Sequence, residues 1–229
     1  LLGALALAAT IPALAADTLV ADWEKPGDPE GWALPDAAYR KEYGLVVDRR
    51  QDSAKAVSGK ASLALSLDTA AGARKGRIDK YYGGKADWKR FSTFSLQCLV
   101  PEGAPAVTGQ IAVMSGAWKW SQGAPVACPA GAWTKVSIAT ADIAHPEEIQ
   151  LVMFIPSIAA GDFKGDLHID KAALEGEIVV GPSKPGATPA ADPIGGMRAG
   201  ERDGDGGPGR GRGRNGGHPL AEPSAGHRR

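Results

Sequence analysis

The sequence has no net charge, few histidines and only one long apolar run. Its 26 Lys and Arg balance its 26 Asp and Glu, so no overall charge directs the chain to nucleic acid or to an anionic membrane. The apolar run covers residues 1–16, and no other segment approaches the length of a transmembrane helix. A Gly-x-Ser-x-Gly elbow, a His-Glu-x-x-His helix and a Cys-x-x-Cys pair are all missing. With only His145 and His168 before residue 181, the sequence gives catalysis little support.

Residues 1–16 have the character of a secretory signal peptide. They carry no charge, and Ala13-Leu14-Ala15 fits the small-x-small cleavage rule. We therefore expect an N-terminally truncated signal peptide at 1–16 and an exported chain that is secreted, periplasmic or at the cell surface, with no membrane span after cleavage. The alternative is a truncated membrane anchor, for which the run is short.

The composition changes at Gly181. From there to Arg229 Gly, Pro and Arg dominate, aromatic residues are missing and the net charge is +3. Such a segment buries too little apolar surface to offset the entropy of ordering, so we expect a disordered tail at 181–229. The Arg/Gly run at 209–214 resembles RNA-binding segments, but export makes RNA an unsuitable partner and we expect no nucleic acid.

The sequence has only two cysteines, Cys98 and Cys128. Export permits a disulfide, and a bridge between them would close a loop of about thirty residues and contribute roughly 3 kcal/mol. Two buried thiols are equally consistent with the sequence, because spacing alone does not show whether the side chains meet.

Residues 17–180 alternate short period-two apolar runs with breaks rich in Gly, Pro and Asp, which is typical of an all-β domain. We expect about nine strands in a two-sheet antiparallel jelly-roll β-sandwich. Residues expected to face the core in alternation are Leu63, Leu65 and Leu67; Phe94, Leu96, Cys98 and Val100; Val136 and Ile138; Ile149, Leu151, Met153 and Ile155; Leu167 and Ile169.

Five short motifs in this domain resemble those of jelly-roll carbohydrate-binding modules of the galactose-binding-like superfamily, of the type appended to glucanases and mannanases. They are Val20-Ala-Asp-Trp-Glu24, residues 58–65, residues 87–96, residues 131–138 and residues 167–174. The resemblance implies non-catalytic binding of a polysaccharide or oligosaccharide. The fold also belongs to exported structural and protein-interaction domains that bind no sugar, which is the alternative.

Six tryptophans are candidates for stacking on sugar rings. Trp23, Trp88 and Trp133 lie in motifs whose aromatic residue packs at a strand entry, and Trp32 is undecided. Trp118 and Trp120 follow the strand 110–115, and continuing its alternation places both outward unless Gly116 forms a bulge.

Further sugar contacts are expected on the same surface. Arg77, Asp79 and Tyr81 share one face of the strand 75–82, either as a contact row or as a solvated Arg–Asp face. Gln150 falls on the face opposite Ile149 and is expected at the groove floor.

The resemblance also implies a structural calcium ion that ties the first strand to the last. The matching carboxylates are Glu24 and Asp170, with Asp22 as a further ligand and carbonyls expected around residues 59–61. Ordinary strand-edge carboxylates are the alternative. The expected partners are a glycan and, because the chain has no recognisable catalytic motif, an enzyme or a cell-surface component.

Overall fold

The computed structural model describes residues 17–177, which form an all-β domain. The strands are β1 (Thr18–Ala21), β2 (Trp32–Ala33), β3 (Val46–Asp52), β4 (Ser62–Asp68), β5 (Ile78–Ala86), β6 (Phe91–Leu99), β7 (Val107–Ser115), β8 (Lys119–Gln122), β9 (Val126–Cys128), β10 (Trp133–Ala139), β11 (Ile149–Ile158) and β12 (Lys164–Glu177). A 3₁₀ helix at Thr140–Asp142 is the one helix in this part of the chain.

The strands form two six-stranded sheets with antiparallel pairing. Sheet A has the order β10-β6-β12-β4-β3, and β1 pairs with β12. Sheet B has the order β2-β5-β11-β7-β8, and β9 pairs with β7. Because β10, β11 and β12 lie alternately in sheets A, B and A, the chain repeatedly crosses between the two layers. The predicted jelly-roll sandwich is confirmed.

The inner faces of the two sheets share one apolar core. The predicted inward residues of β4, β6, β10 and the first half of β12 are all buried in it, so their period-two patterns are confirmed. Trp23 and Trp88 are buried there as expected, and Trp32 joins them. Alternating apolar side chains therefore build the sandwich, since each strand buries one face.

The period-two prediction for β11 is wrong. Ile149 pairs with Ser115 whereas Leu151 pairs with the adjacent Met114, so Gln150 is an extra residue that forms a β-bulge. The bulge shifts the alternation by one position. Ile149 faces the core, but Leu151, Met153 and Ile155 form a separate apolar cluster on the outer face of sheet B.

Residues 17–177 contain twelve strands where the sequence predicts about nine. The additional strands are short: β2 has two residues, β9 three and β8 four. Segments of two to four residues are too short to show a period-two pattern of apolar residues.

No helix in residues 17–177 has the length and apolar character needed to cross a membrane. The predicted signal peptide at 1–16 and tail at 181–229 lie outside the described residues.

Candidate functional site

A groove lies on the outer face of sheet B, where rows of paired residues cross the strands. Directly paired residues on neighbouring strands lie on the same face of a sheet. The first row contains Tyr81, Leu151, Met114 and Trp120, and the second contains Ala33, Asp79 and Met153. A wall formed by the segment 34–43 completes the groove, whose volume is about 550 Å³.

The two exposed tryptophans are positioned by the hairpin between β7 and β8. Continuing the alternation of β7 predicts that Trp118 and Trp120 face outward. In the structure the chain instead turns back after β7, with left-handed φ values of 54° at Gly116 and 61° at Trp118. A side chain at Gly116 would come within 2.7 Å of the His145 ring, so the turn requires glycine. Trp120 then returns opposite Met114 and shares its outward face. Trp118 and Trp120 both line the groove.

Four aromatic residues of the groove are open to solvent, among them Tyr39 of the wall, which is 49% exposed. Tyr81 is 64% exposed, Trp118 48% and Trp120 44%. The rings of Tyr81 and Trp118 stack with centroids 6.1 Å apart and planes inclined by 26°. Trp120 Nε1 donates to Gln122 Oε1 at 3.0 Å, which fixes the indole orientation. Exposing several large rings side by side is unfavourable in water, so this surface is suited to a ligand.

A buried ion pair lies beside the rings. The Arg77 Nε and Nη2 atoms donate to the two Asp79 carboxylate oxygens at 2.6 and 2.8 Å. Arg77 is only 7% exposed, and its guanidinium lies 4.9 Å from the Tyr39 ring centroid and 5.6 Å from that of Tyr43. The pair therefore has a fixed orientation, and the structure does not support the alternative of a solvated Arg–Asp face.

Burial raises the pKa of Asp79, and the bonds from Arg77 oppose that shift. The carboxylate consequently depends on Arg77 to stay charged inside the groove. An ionised Asp79 offers acceptor oxygens, and the Arg77 bonds to it use only two of the five guanidinium N–H groups. The pair can thus both donate to and accept from a ligand.

The structure brings together five of the six predicted sugar-contact residues: Arg77, Asp79, Tyr81, Trp118 and Trp120 all line the groove. Gln150 does not join them, because its side chain lies in the bulge, where Nε2 donates to the Gly116 carbonyl at 2.9 Å. Gln150 instead ties β11 to the hairpin that carries the tryptophans.

Sequence reasoning did not identify several groove residues. They are Leu34, Asp36, Tyr39, Glu42 and Tyr43 from the wall, and Met114, Leu151 and Met153 from the floor. The spacing of Tyr39 and Tyr43 by four residues is a weak signal that the two rings lie on the same side of the segment 34–43. The continuous apolar run of β11 is a stronger signal, because a strand that is apolar on both faces needs cover on both.

The predicted calcium ligands Glu24 and Asp170 meet at one loop, residues 57–61. Glu24 Oε1 accepts two backbone amides of this loop at 2.7 and 2.9 Å, and Asp170 Oδ2 accepts two others at 2.8 and 2.9 Å. Gly59 has φ 65°, and a side chain there would collide with the Glu24 carboxylate. The loop is therefore folded around both acidic groups.

The two carboxylates supply oxygen atoms of the kind that calcium takes as ligands. Burial raises the pKa of Asp170, and the negative charge of Glu24 adds to that shift, so a cation between them would relieve the repulsion. The third predicted ligand, Asp22, lies nearby in sequence and accepts the Glu24 amide at 3.4 Å. Across residues 17–177 no group of three or more His, Cys, Asp or Glu is placed to hold a metal, so backbone carbonyls would have to complete the shell.

Comparison with known proteins relates this chain to others by fold. No family model and no curated protein matches the sequence. Among solved structures, the CBM27-1 module of Caldicellulosiruptor saccharolyticus in complex with mannohexaose is similar with a TM-score of 0.54 and 11% identity, over 70% of this chain and 97% of the module. CBM28, a carbohydrate-binding module specific for non-crystalline cellulose, gives a TM-score of 0.53 and 15% identity over 71% and 97%. The domain thus has the jelly-roll sandwich fold found in carbohydrate-binding modules.

Proposed function

We propose that this chain is a non-catalytic module that binds polysaccharide or oligosaccharide in the groove of sheet B. The observation that carries the proposal is the convergence of Tyr81, Trp118 and Trp120, all roughly half exposed, on one open groove. A pyranose ring has apolar C–H faces and an equator of hydroxyls. Flat rings stack on the faces, and a few fixed polar groups bind the hydroxyls.

The polar contribution is assigned to the buried ion pair. Arg77 donates to sugar hydroxyls with the N–H groups that Asp79 does not use, and Asp79 accepts from hydroxyls. Because the pair and the flanking tyrosines already hold each other in place, binding orders few additional side chains. Leu151, Met114 and Met153 provide an apolar floor under the ligand.

The similar solved structures support a glycan as the ligand class, since one contains mannohexaose and the other is described as specific for cellulose. The signal-like segment at 1–16 supports export to a compartment where polysaccharides occur. A module of this kind gains effective concentration when a partner enzyme or the cell surface holds it near its substrate.

A structural calcium ion held by Glu24 and Asp170 belongs to the same proposal. The ion would supply positive charge between two carboxylates and fasten the loop 57–61 to β12, away from the groove residues. Its role is in stability, so sugar binding and calcium binding are tested separately.

Affinity gel electrophoresis with a panel of soluble β-glucans, mannans and xylans tests the glycan proposal. We expect at least one polysaccharide to retard the natural chain, and Trp118→Ala and Trp120→Ala to reduce the retardation. Leu19→Ala, which removes a side chain of similar exposure (50%) on sheet A, is the matched control and should leave the retardation unchanged.

Two outcomes would contradict the proposal. If no polysaccharide retards a folded natural chain, a structural or protein-interaction domain becomes the better interpretation of the groove. If reducing sugar is released in proportion to the amount of protein, the chain is an enzyme.

A further inference from the structure

Cys98 and Cys128 are brought together at a point where sheets A and B meet. Cys98 lies on β6 of sheet A, and Cys128 is the last residue of β9 in sheet B. Two residues after each cysteine, beyond the ends of β6 and β9, Val100 and Ala130 form a parallel bridge, and the Gly131 amide donates to the Val100 carbonyl at 2.8 Å. The bridge brings the chain segments of the two cysteines close together, although within the sheets Cys98 pairs with Thr134 and Ile169, and Cys128 pairs with Val107.

Both side chains face the same apolar core. Cys98 and Val100 belong to the buried alternating face of β6, and Cys128 is part of the same core cluster. Gly109 on β7 lies beside the Cys128 sulfur, since a methyl group at that position would lie 3.4 Å from it. Both cysteine side chains are therefore buried in the apolar core between the sheets.

In the structure both thiols are free, and Cys128 Sγ donates to the Val126 carbonyl at 3.5 Å. A hydrogen bond with Cys128, together with burial, raises the pKa of Cys98, and the same hydrogen bond lowers the pKa of Cys128. Cys128 is thus the thiol that ionises first, and the thiolate is the form that attacks a disulfide.

We propose that Cys98 and Cys128 form a disulfide that fastens sheet A to sheet B. The oxidant is a small-molecule disulfide such as oxidised glutathione. The Cys128 thiolate attacks one of its sulfur atoms and releases one glutathione, after which Cys98 loses its proton and attacks the Cys128 sulfur, releasing the second. Two protein S–H bonds are lost, one S–S bond forms, and the oxidant leaves as two thiols that carry the two protons.

The bridge encloses the strands that present the tryptophans. The closed loop of about thirty residues contains β7 and β8, and therefore Trp118 and Trp120. Because both sulfurs are buried in the folded domain, the exchange takes place during folding or in an opened state. Once formed, the bridge restricts the unfolded chain and limits separation of the sheets near the groove.

Thiol counting on the natural chain tests the inference. The chain is refolded in a glutathione redox buffer, denatured, and labelled with a maleimide of high mass. We expect no label without reductant, two labels after reduction and a monomer on a non-reducing gel. Two labels without reductant, or a disulfide-linked dimer, would overturn the inference.

A thermal measurement supplies an independent readout. From the loop length, oxidation should raise the Tm by roughly 6–12 °C. The matched control is the Cys98→Ala/Cys128→Ala double variant, whose Tm should be the same in oxidising and reducing buffer. A natural chain whose Tm is equally insensitive to reductant contradicts the bridge. Sugar binding is not part of either readout, so the outcome is separate from the proposed function.

Discussion

Replacing Trp118 by alanine is the substitution whose effect on binding follows most directly from the structure. A buried tryptophan covers roughly 200 Å², and since 48% of Trp118 is exposed, about 100 Å² is left for a ligand. At about 25 cal/mol per Å², covering all of that area contributes about 2.5 kcal/mol, and covering half contributes about 1.2 kcal/mol. We therefore expect Trp118→Ala to weaken binding by a factor of about 8 to about 70.

Isothermal titration calorimetry with the polysaccharide that retards the natural chain most strongly measures this change. Trp118→Phe keeps an aromatic ring beside Tyr81 and should lose less affinity than Trp118→Ala. Leu19→Ala removes a similarly exposed apolar side chain from the other sheet and should retain full affinity. Circular dichroism melting must show that all three variants are folded, which we expect because both residues lie half in solvent.

Comparing the affinities of these variants tests whether the ligand stacks on the aromatic rings of the groove. If Trp118→Ala binds within twofold of the natural chain while Trp120→Ala also binds normally, ring stacking in this groove is refuted. If all variants, including the control on sheet A, lose affinity together, the ligand binds elsewhere or the variants are misfolded. Only a loss confined to groove residues supports the assignment.

Three further predictions concern stability. Arg77→Ala leaves the buried Asp79 carboxylate without its partner and should lower the free energy of unfolding in urea by about 3 kcal/mol. The double variant Arg77→Ala/Asp79→Ala should recover part of this lost free energy, and an unchanged urea midpoint for Arg77→Ala would contradict the pairing. Chelation with EDTA should lower the Tm, calcium should restore it, and Asp170→Asn should abolish the response; a natural chain that melts identically with and without EDTA has no structural calcium. Hydrogen bonding to Arg50 lowers the pKa of Asp166, so this pair stabilises the fold above pH about 4 and its contribution disappears as the pH falls through the lowered pKa. Urea midpoints of the natural chain and Asp166→Asn should accordingly differ at pH 7 and converge in acid, and a constant difference would argue against the pair.

The inner faces of most strands could be predicted from the sequence because only one face of each is apolar. In β4 the leucines at 63, 65 and 67 alternate with smaller or polar residues, so one register alone buries them. In β10 Val136 and Ile138 are similarly unambiguous. Where a strand has one apolar face, the hydrophobic effect decides its orientation without information about its neighbours.

The groove was partly predictable for the same reason. Arg77, Asp79 and Tyr81 share a face by alternation, and β5 keeps that alternation. For Trp118 and Trp120 the predicted outward direction agrees with the structure although the reason differs, because a hairpin turns the chain instead of extending it. The tyrosines of the wall were not predictable, since the position of the segment 34–43 depends on packing against Arg77, which is distant in sequence.

The error in β11 has a physical cause that bears on function. Leu151, Met153 and Ile155 alternate with Val152 and Phe154, so both faces of the strand are apolar and the period does not show which face is inside. The bulge at Gln150 sets the orientation of the strand: Val152 and Phe154 face the core, and Leu151, Met153 and Ile155 face outward. A central strand that is apolar on both faces has one face covered by the opposite sheet and needs other groups to cover the second face. On the outer face of β11 the aromatic side chains and the segment 34–43 cover only part of the apolar surface. The ambiguity that makes the sequence prediction fail is therefore also a reason to propose this face of sheet B as the ligand-binding surface.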